Sequence, residues 1–180
     1  MRIAIFDGAE GPGPMDAWLA NVSAGLSARG HDVAHFRLRE RGLRQCKGCF
    51  ECWVKTPGRC SIRDGSEQLV RALLASDLLV VASPTAMGMT TALSRRASER
   101  MIPVLHPYFE LIDGEVHHRA RYERYPRMAL LYGAEGCDAE DAELLVLLYR
   151  RLAINMHSTL ALAASTARPP EEVSDALARP

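Results

Sequence analysis

Lysine is nearly missing from this sequence. Of 180 residues, 22 are basic and almost all of those are arginine; the only lysines, Lys47 and Lys55, fall within one short stretch. High genomic GC content biases a sequence towards arginine by itself, so the placement of the two lysines is the informative part. Net charge is missing too. The 22 acidic residues bring the formal total to zero, which removes the electrostatic case for nucleic acid or an anionic membrane as partner. No apolar run reaches membrane-spanning length without a charge. The opening run Met1-Arg2-Ile3-Ala4-Ile5-Phe6-Asp7-Gly8 is too short for a signal peptide. The expected compartment is therefore the cytoplasm, where cysteines stay reduced and metal binding or thiol chemistry outranks disulfides. There are no internal repeats or low-complexity tracts, and no residue stands out as a general acid or base, so the catalytic residues are unknown. With 48% hydrophobic residues, the chain can bury a full core without disulfides or metal.

What is present is concentrated. Four of the five cysteines lie in the fifteen residues from Cys46 to Cys60, as Cys46, Cys49, Cys52 and Cys60 in a C-x2-C-x2-C-x7-C pattern. Thiolates at successive intervals of three converge on one centre if the backbone loops around it, and compact cysteine runs of this kind hold iron–sulfur clusters. Gly48 and Gly58 permit close backbone approach, Thr56-Pro57-Gly58 is a ready turn, and Lys47, Lys55 and Arg59 would offset negative charge. Three other readings stand beside the cluster. Structural zinc is one, although the second C-x2-C knuckle it usually takes is lacking; a Cys-x-x-Cys redox pair is another. Buried, inert cysteines are the third, common singly but rarely clustered in a polar loop bearing Gly and Pro.

Around that stretch the hydrophobic pattern alternates between strands and helices. Residues 2–6 read as a buried strand, 8–14 as a loop, 16–29 as a helix and 32–38 as a second strand, which together make a βαβ unit. A helix begins at Asp64-Gly65-Ser66. Residues 77–82 form the central strand, 83–89 a loop, 90–101 a helix ending before Pro103, 128–132 a strand, 138–155 a helix and 159–164 a last strand. Between them, residues 104–126 break the rhythm: Asp113-Gly114 is a hairpin-type turn and 117–122 an irregular basic segment. Five alternating strands predict an α/β, doubly wound parallel sheet whose ligand crevice lies at the carboxyl ends of the strands. The loops 8–14, 83–89 and 133–137 qualify, and the cysteine loop leaves the second strand on the same edge.

Cys46-x-Gly48-Cys49-Phe50-x-Cys52-Trp53-x-Lys55-Thr56-Pro57-Gly58-x-Cys60 followed by Asp64 resembles the iron–sulfur flavoproteins, within the flavodoxin-like NAD(P)H-dependent FMN reductase group. Ser83-Pro84-Thr85-Ala86-Met87-Gly88, followed by Leu93, Arg95, Glu99-Arg100 and Pro103, is similar to that group's second FMN loop and helix. The resemblance implies a flavodoxin-like domain over residues 1–166, with strand order 2-1-3-4-5. It would contain the cysteine loop (44–62) and the excursion (104–126), with a polar tail over 167–180. It further implies FMN at the switch point, near Gly8, Pro84, Thr85, Ala86, Met87, Gly88, Tyr132, Gly133 and Gly136. A 4Fe–4S cluster would sit on Cys46, Cys49, Cys52 and Cys60, with NAD(P)H as a possible donor. Electrons would pass between FMN and the cluster, serving a small-molecule or protein donor or acceptor, in a homodimer or homotetramer.

The first loop departs from the family. Where that group carries Gly-Ser-Pro-Arg and then Asn-Thr around the FMN phosphate, this chain reads Gly8-Ala9-Glu10-Gly11-Pro12-Gly13-Pro14-Met15-Asp16. It offers no hydroxyl and no cation, Pro12 and Pro14 lack amide donors, and Glu10 and Asp16 would repel a dianion. Ala86 stands where the group usually has an aromatic. Two alternatives follow: a flavodoxin-like binding or assembly module that has lost FMN, and a cluster-free NAD(P)H-dependent flavin or quinone reductase. His117-His118, beside Tyr122 and Tyr125, could bind an anion or a partner chain, or be an interfacial excursion. Cys137, at a helix start, is either a thiol of lowered pKa or a passive loop residue.

Overall fold

A computed structural model describes residues 1–179. Chain order is β1 (Arg2–Asp7), α1 (Pro14–Ala28), β2 (Asp32–Arg37), the short α2 (Glu51–Val54), α3 (Ser66–Ala75) and β3 (Leu78–Ser83). There follow the two-residue strands β4 (Thr85–Ala86) and β5 (Met89–Thr90), then α4 (Ala92–Glu99), β6 (Leu105–Ile112), β7 (Glu115–Ala120), β8 (Arg127–Tyr132), α5 (Ala139–Asn155), β9 (Leu160–Ser165) and α6 (Pro170–Leu177). Five of the strands form one parallel sheet in the order β2-β1-β3-β8-β9. Counting only the sheet strands, that is 2-1-3-4-5, the expected flavodoxin-like order.

Alternation along the strands divides the core in two. Ile3 and Ile5 of β1, with Leu78, Val80 and Ala82 of β3, pack against Leu19, Val22 and Leu26 of α1. Ala4, Phe6, Leu79 and Val81 point the other way, onto Leu69 and Leu73 of α3, Ala97 of α4, and Leu145 and Tyr149 of α5. All six residues of β3 are buried, as a strand covered on both faces requires.

Two expectations are corrected. Of the expected polar tail 167–180, whose last residue lies outside the described ones, 167–179 is not a bare tail, because α6 lies on α1 with Val173 and Leu177 in the core. Each such side chain contributes roughly 1.5–3 kcal/mol of burial, enough to fix so short a helix, and Trp18 Nε1–H donates to Arg168 O at 2.9 Å to hold its approach. The basic segment 117–122 is not irregular either: residues 117–120 belong to β7, paired antiparallel with β6. Asp113 (φ 51°) and Gly114 (φ 81°) are both left-handed, the geometry of a two-residue turn whose twist matches the flanking strands. This hairpin leaves the sheet and exposes Tyr108, Phe109, Leu111 and Val116.

Candidate functional site

Four connections converge on the carboxyl edge of the sheet: those after β1, β3, β8 and β9. Between them lies a cavity of about 180 Å³, lined by Gly11, Gly13 and Asp16 of the first connection, Pro84 and Thr85 of the second, Gly133 and Glu135 of the third, and Thr166. The walls are tied together. Thr85 Oγ1 donates to Gly133 O (3.2 Å) and Glu135 O (2.7 Å), and the Ala134 amide donates to Thr166 Oγ1 at 3.0 Å. A Cβ on Gly133 would stand 3.1 Å from the Thr85 nitrogen and 3.2 Å from Pro84 Cα, so the second and third walls meet as closely as they do because that residue has no side chain. Beneath the cleft, Thr91 caps α4, donates to Gly8 O at 2.7 Å and lies beside Ser94. A Cβ on Gly8 would come within 1.7 Å of Ser94 Oγ.

Of the residues expected at a flavin, Pro84, Thr85 and Gly133 line this cleft and Gly8 lies under it. Ala86, Met87, Gly88 and Gly136 are not among its walls. The loop 83–89 is itself a small hairpin, β4 paired with β5, and Met87 at its tip is 98% exposed. Tyr132 instead borders a broad concavity of about 690 Å³ with Leu144, Leu147 and Arg150 of α5. Burial, and secondarily Cys137, pushes the Tyr132 hydroxyl pKa up.

The amino end of α1 faces the cleft, where an anion would find free amides and the positive end of the helix dipole. Here the chain satisfies that end itself. The Gly13 amide donates to Asp16 Oδ2 at 2.9 Å, and Arg39 Nη2 donates to Asp16 Oδ1 at 2.6 Å. Arg39 Nη1 also stands 3.6 Å from Oδ2 of buried Asp7, which accepts from the Ala9 amide (3.0 Å) and has His35 Nε2 3.3 Å away. The hydrogen bond from Arg39 is the main cause that holds the Asp16 carboxyl below its usual pKa. Proline occupies positions 12 and 14, so the loop offers few other donors. The first wall of the cleft therefore does not fit a phosphate. None of Asp7, His35 and Arg39 is marked by a local motif; they meet only because β1 and β2 pair.

The cysteine loop leaves β2 at the same edge. It turns through left-handed residues at Gly48 (φ 63°), Phe50 (φ 57°) and Gly58 (φ 81°). All four cysteines are free and none is buried. The Gly48 amide points at Cys46 Sγ at 3.5 Å. The Cys52 thiol pKa is pushed up by burial first, and then by Cys60, Cys46 and Cys49, so all three other sulfurs act on it. Among the described residues no group of three or more His, Cys, Asp or Glu side chains is placed to hold a metal ion. The cations expected to offset a cluster are partly spent on carboxylates: Lys55 on Glu51 at 2.8 Å and Arg59 on Glu67 at 3.5 Å.

The base of this loop is closed by Arg100. Its Nη1 donates to Arg44 O (2.8 Å) and Asp64 Oδ2 (3.0 Å); its Nη2 donates to Ile62 O (3.2 Å), Asp64 Oδ1 (3.1 Å) and Ser66 Oγ (2.7 Å). One guanidinium therefore ties the loop's entry to its exit. Burial pushes the Asp64 pKa up, but the Arg44 and Ser66 amides, the Ser66 hydroxyl and Arg100 outweigh it and leave the carboxyl below its usual value. The far side is held by aromatic contacts. Trp53 stacks on Phe50 (centroids 5.4 Å) and packs on His118 (4.9 Å), which in turn meets Phe109 (4.9 Å). Trp53 Nε1–H also donates to Leu105 O at 3.0 Å. His118 is thus a packing residue between loop and hairpin, and neighbouring His117 is buried elsewhere, so the pair does not converge on a ligand. Cys137 has its thiol pKa raised, by burial and then by Asp141 and Asp138, which makes it a passive loop residue.

Comparison with known proteins defines the class first. The chain is similar in fold to an azoreductase from Bacillus anthracis (TM-score 0.65, 12% identity, 97% of this chain and 89% of that one). It is also similar to an NADH:FMN oxidoreductase (TM-score 0.59, 12% identity, 98% and 86%). This is the flavodoxin-like fold. In sequence it is similar to two iron–sulfur flavoproteins of Archaeoglobus fulgidus, at 31% identity over 81 residues and 27% over 71. Those matches span 45% and 39% of this chain, and only 36% and 34% of the relatives. No family model matches. The resemblance to the iron–sulfur flavoproteins and the flavodoxin-like FMN reductases is thus found again in sequence and in fold.

Proposed function

We propose that the chain is a flavin-dependent oxidoreductase that passes electrons between a flavin in the cleft and an iron–sulfur cluster on Cys46, Cys49, Cys52 and Cys60. The observation that carries this reading is co-location: four free cysteines in one loop leave the same sheet edge as the cleft. A bound flavin would supply two-electron and one-electron chemistry, and a cluster one-electron chemistry. The protein's own share is positional. Thr85 and Gly133 fix the cleft walls, Arg100 and Asp64 hold the cysteine loop, and the Gly48 amide lies against Cys46 Sγ. The relatives' names give an iron–sulfur group and a flavin, and a fold neighbour's gives FMN. FMN and a 4Fe–4S cluster are the cofactors proposed on that basis, with NAD(P)H as donor. A homodimer or homotetramer is in keeping with exposed Leu144, Leu147 and Leu148 on α5. Five free thiols suit a reducing cytoplasm.

The test is an anaerobic absorption spectrum with iron, sulfide and flavin content. Visible cluster absorbance should disappear in Cys49→Ala, and an unchanged brown spectrum in that variant would sink the cluster assignment. A cluster-free flavin or quinone reductase is the second reading, favoured by the fold neighbours and by cysteines not gathered around a single ion. It predicts flavin without iron or sulfide. A binding module that has lost FMN, favoured by the first loop, predicts neither.

A further inference from the structure

The amino end of α1 is the one place in the cleft where an anionic group would be met by amides and a helix dipole, and it already holds a carboxylate. Asp16 takes the Gly13 amide and the Arg39 guanidinium, one oxygen each. Arg39 has no spare face towards the cleft, since its other nitrogen lies near Asp7 and 3.5 Å from Ala9 O. Every charged residue lining the cleft, Asp16 and Glu135, is acidic. Of its hydroxyls, Thr85 shares its single O–H between two backbone carbonyls, while Thr166 accepts the Ala134 amide and keeps its own O–H to donate, which suits a ligand hydroxyl as well as a phosphate. A phosphate entering here would have to displace Asp16 from Arg39 or sit against two carboxylates with no free cation. A neutral hydroxyl group would do neither.

We propose that Asp16 is a built-in substitute for a ligand phosphate, and that the cleft therefore selects a flavin ending in neutral hydroxyls, riboflavin, over its 5′-phosphate, FMN. This rests on the flavin reading above and specifies which member of that class the site takes. The selectivity comes from charge: Asp16 neutralises Arg39, so a phosphate gains no net cation at this end and still faces Glu135. One unit charge a few ångströms from a dianion is worth about 1–2 kcal/mol even in a water-like medium, or roughly tenfold in affinity. Replacing Asp16 with Asn keeps its size, removes its charge and releases Arg39 for a phosphate.

Flavin fluorescence quenching, titrating the whole chain with riboflavin and with FMN, tests this directly. The expected result is riboflavin binding roughly tenfold more tightly than FMN in the natural sequence, with Asp16→Asn closing that gap by raising FMN affinity and leaving riboflavin within about twofold. Arg39→Ala, which removes the cation but keeps the carboxylate, should not raise FMN affinity. FMN binding as tightly as riboflavin to the natural sequence would overturn the inference while leaving the flavin reading intact. A gap that persists in Asp16→Asn would remove Asp16 as its cause. Quenching by neither flavin would overturn the flavin reading itself, and the inference with it.

Discussion

Two loops leave the same edge of the sheet, and each is clamped by an arginine on an aspartate. In the cysteine loop, Arg100 and Asp64 are almost fully buried (side chains 1% and 4% exposed) and join the two ends of the loop. In the first loop, Arg39 and Asp16 are more accessible (19% and 25%), and their contact occupies the end of the cleft. The chemistry is the same; the consequences are opposite. Arg100 binds only the loop's base, so the four thiols remain free for a ligand. Arg39 is consumed at the end of the cleft, where the proposed flavin would place its side chain's terminus. Where a clamp stands relative to the site decides whether it prepares that site or fills it.

The sharpest break of this comparison is Arg100→Ala. Removing one partner of a buried pair leaves Asp64 without its counter-charge, though still held by the Arg44 and Ser66 amides. It also deprives the Arg44 and Ile62 carbonyls of their donor, and the whole should cost about 3 kcal/mol. Urea denaturation measures it, and a loss below about 1 kcal/mol would show that the loop does not depend on the clamp. Anaerobically reconstituted protein should also bind less iron per chain, because the entry and exit of the loop are no longer tied.

How much of this the sequence reveals depends on the range of the interaction. The five strands are legible because each is a short apolar run between turn residues, with β3 the clearest in Leu78-Leu79-Val80-Val81. The cysteine spacing and the Asp113-Gly114 turn are local and equally plain. Helix α6 escapes because only Val173 and Leu177 mark it amid Glu, Asp and Pro, and its reason for folding is the α1 surface far away in the chain. In the cleft, Glu10, Asp16 and the two prolines are visible as a poor phosphate loop. That Asp16 is held by Arg39 is not visible, because the partner arrives on the far side of β2. His117-His118 misleads in the other direction: an adjacent pair in a basic segment looks like an anion site, while alternation along a strand sends the two side chains apart.

A smaller loss is expected at the floor shared by the two regions. Gly8→Ala would put a methyl into Ser94 Oγ and within 3.0 Å of Ser94 Cβ. Overpacking of this kind costs about 1–3 kcal/mol. The compensating variant is Gly8→Ala with Ser94→Gly, which should recover most of the loss in the same denaturation experiment. A double variant no more stable than Gly8→Ala alone would mean that the contact with Ser94 is not the source of the strain.

Acid separates the two clamps further. Both carboxyls are held below the ordinary carboxylate value of 3.8 in the folded chain, so the unfolded chain binds protons more readily and stability rises with pH through this range. The contribution is full above about pH 4 and is lost as pH falls below it, towards the lowered folded values. Asp64→Asn should flatten the acid limb of a stability–pH profile more than Asp16→Asn does, because the buried pair is less screened. Equal flattening by the two variants would remove the distinction in burial on which the comparison rests.

The least effect on stability is expected at the more accessible clamp. Arg39→Ala breaks a pair with Asp16 that water still reaches, worth about 0–1 kcal/mol. The variant also takes a cation from 3.6 Å off the buried Asp7, which keeps the Ala9 amide and His35 as partners. Its thermal midpoint should lie within a few degrees of the natural chain's. The helix should survive because the Gly13 amide keeps its bond to Asp16, which does not require the arginine. If Arg39→Ala instead lost as much stability as Arg100→Ala, the first clamp would be a structural strut like the second. Its position in the cleft would then be a by-product of folding rather than the feature that sets what the cleft admits.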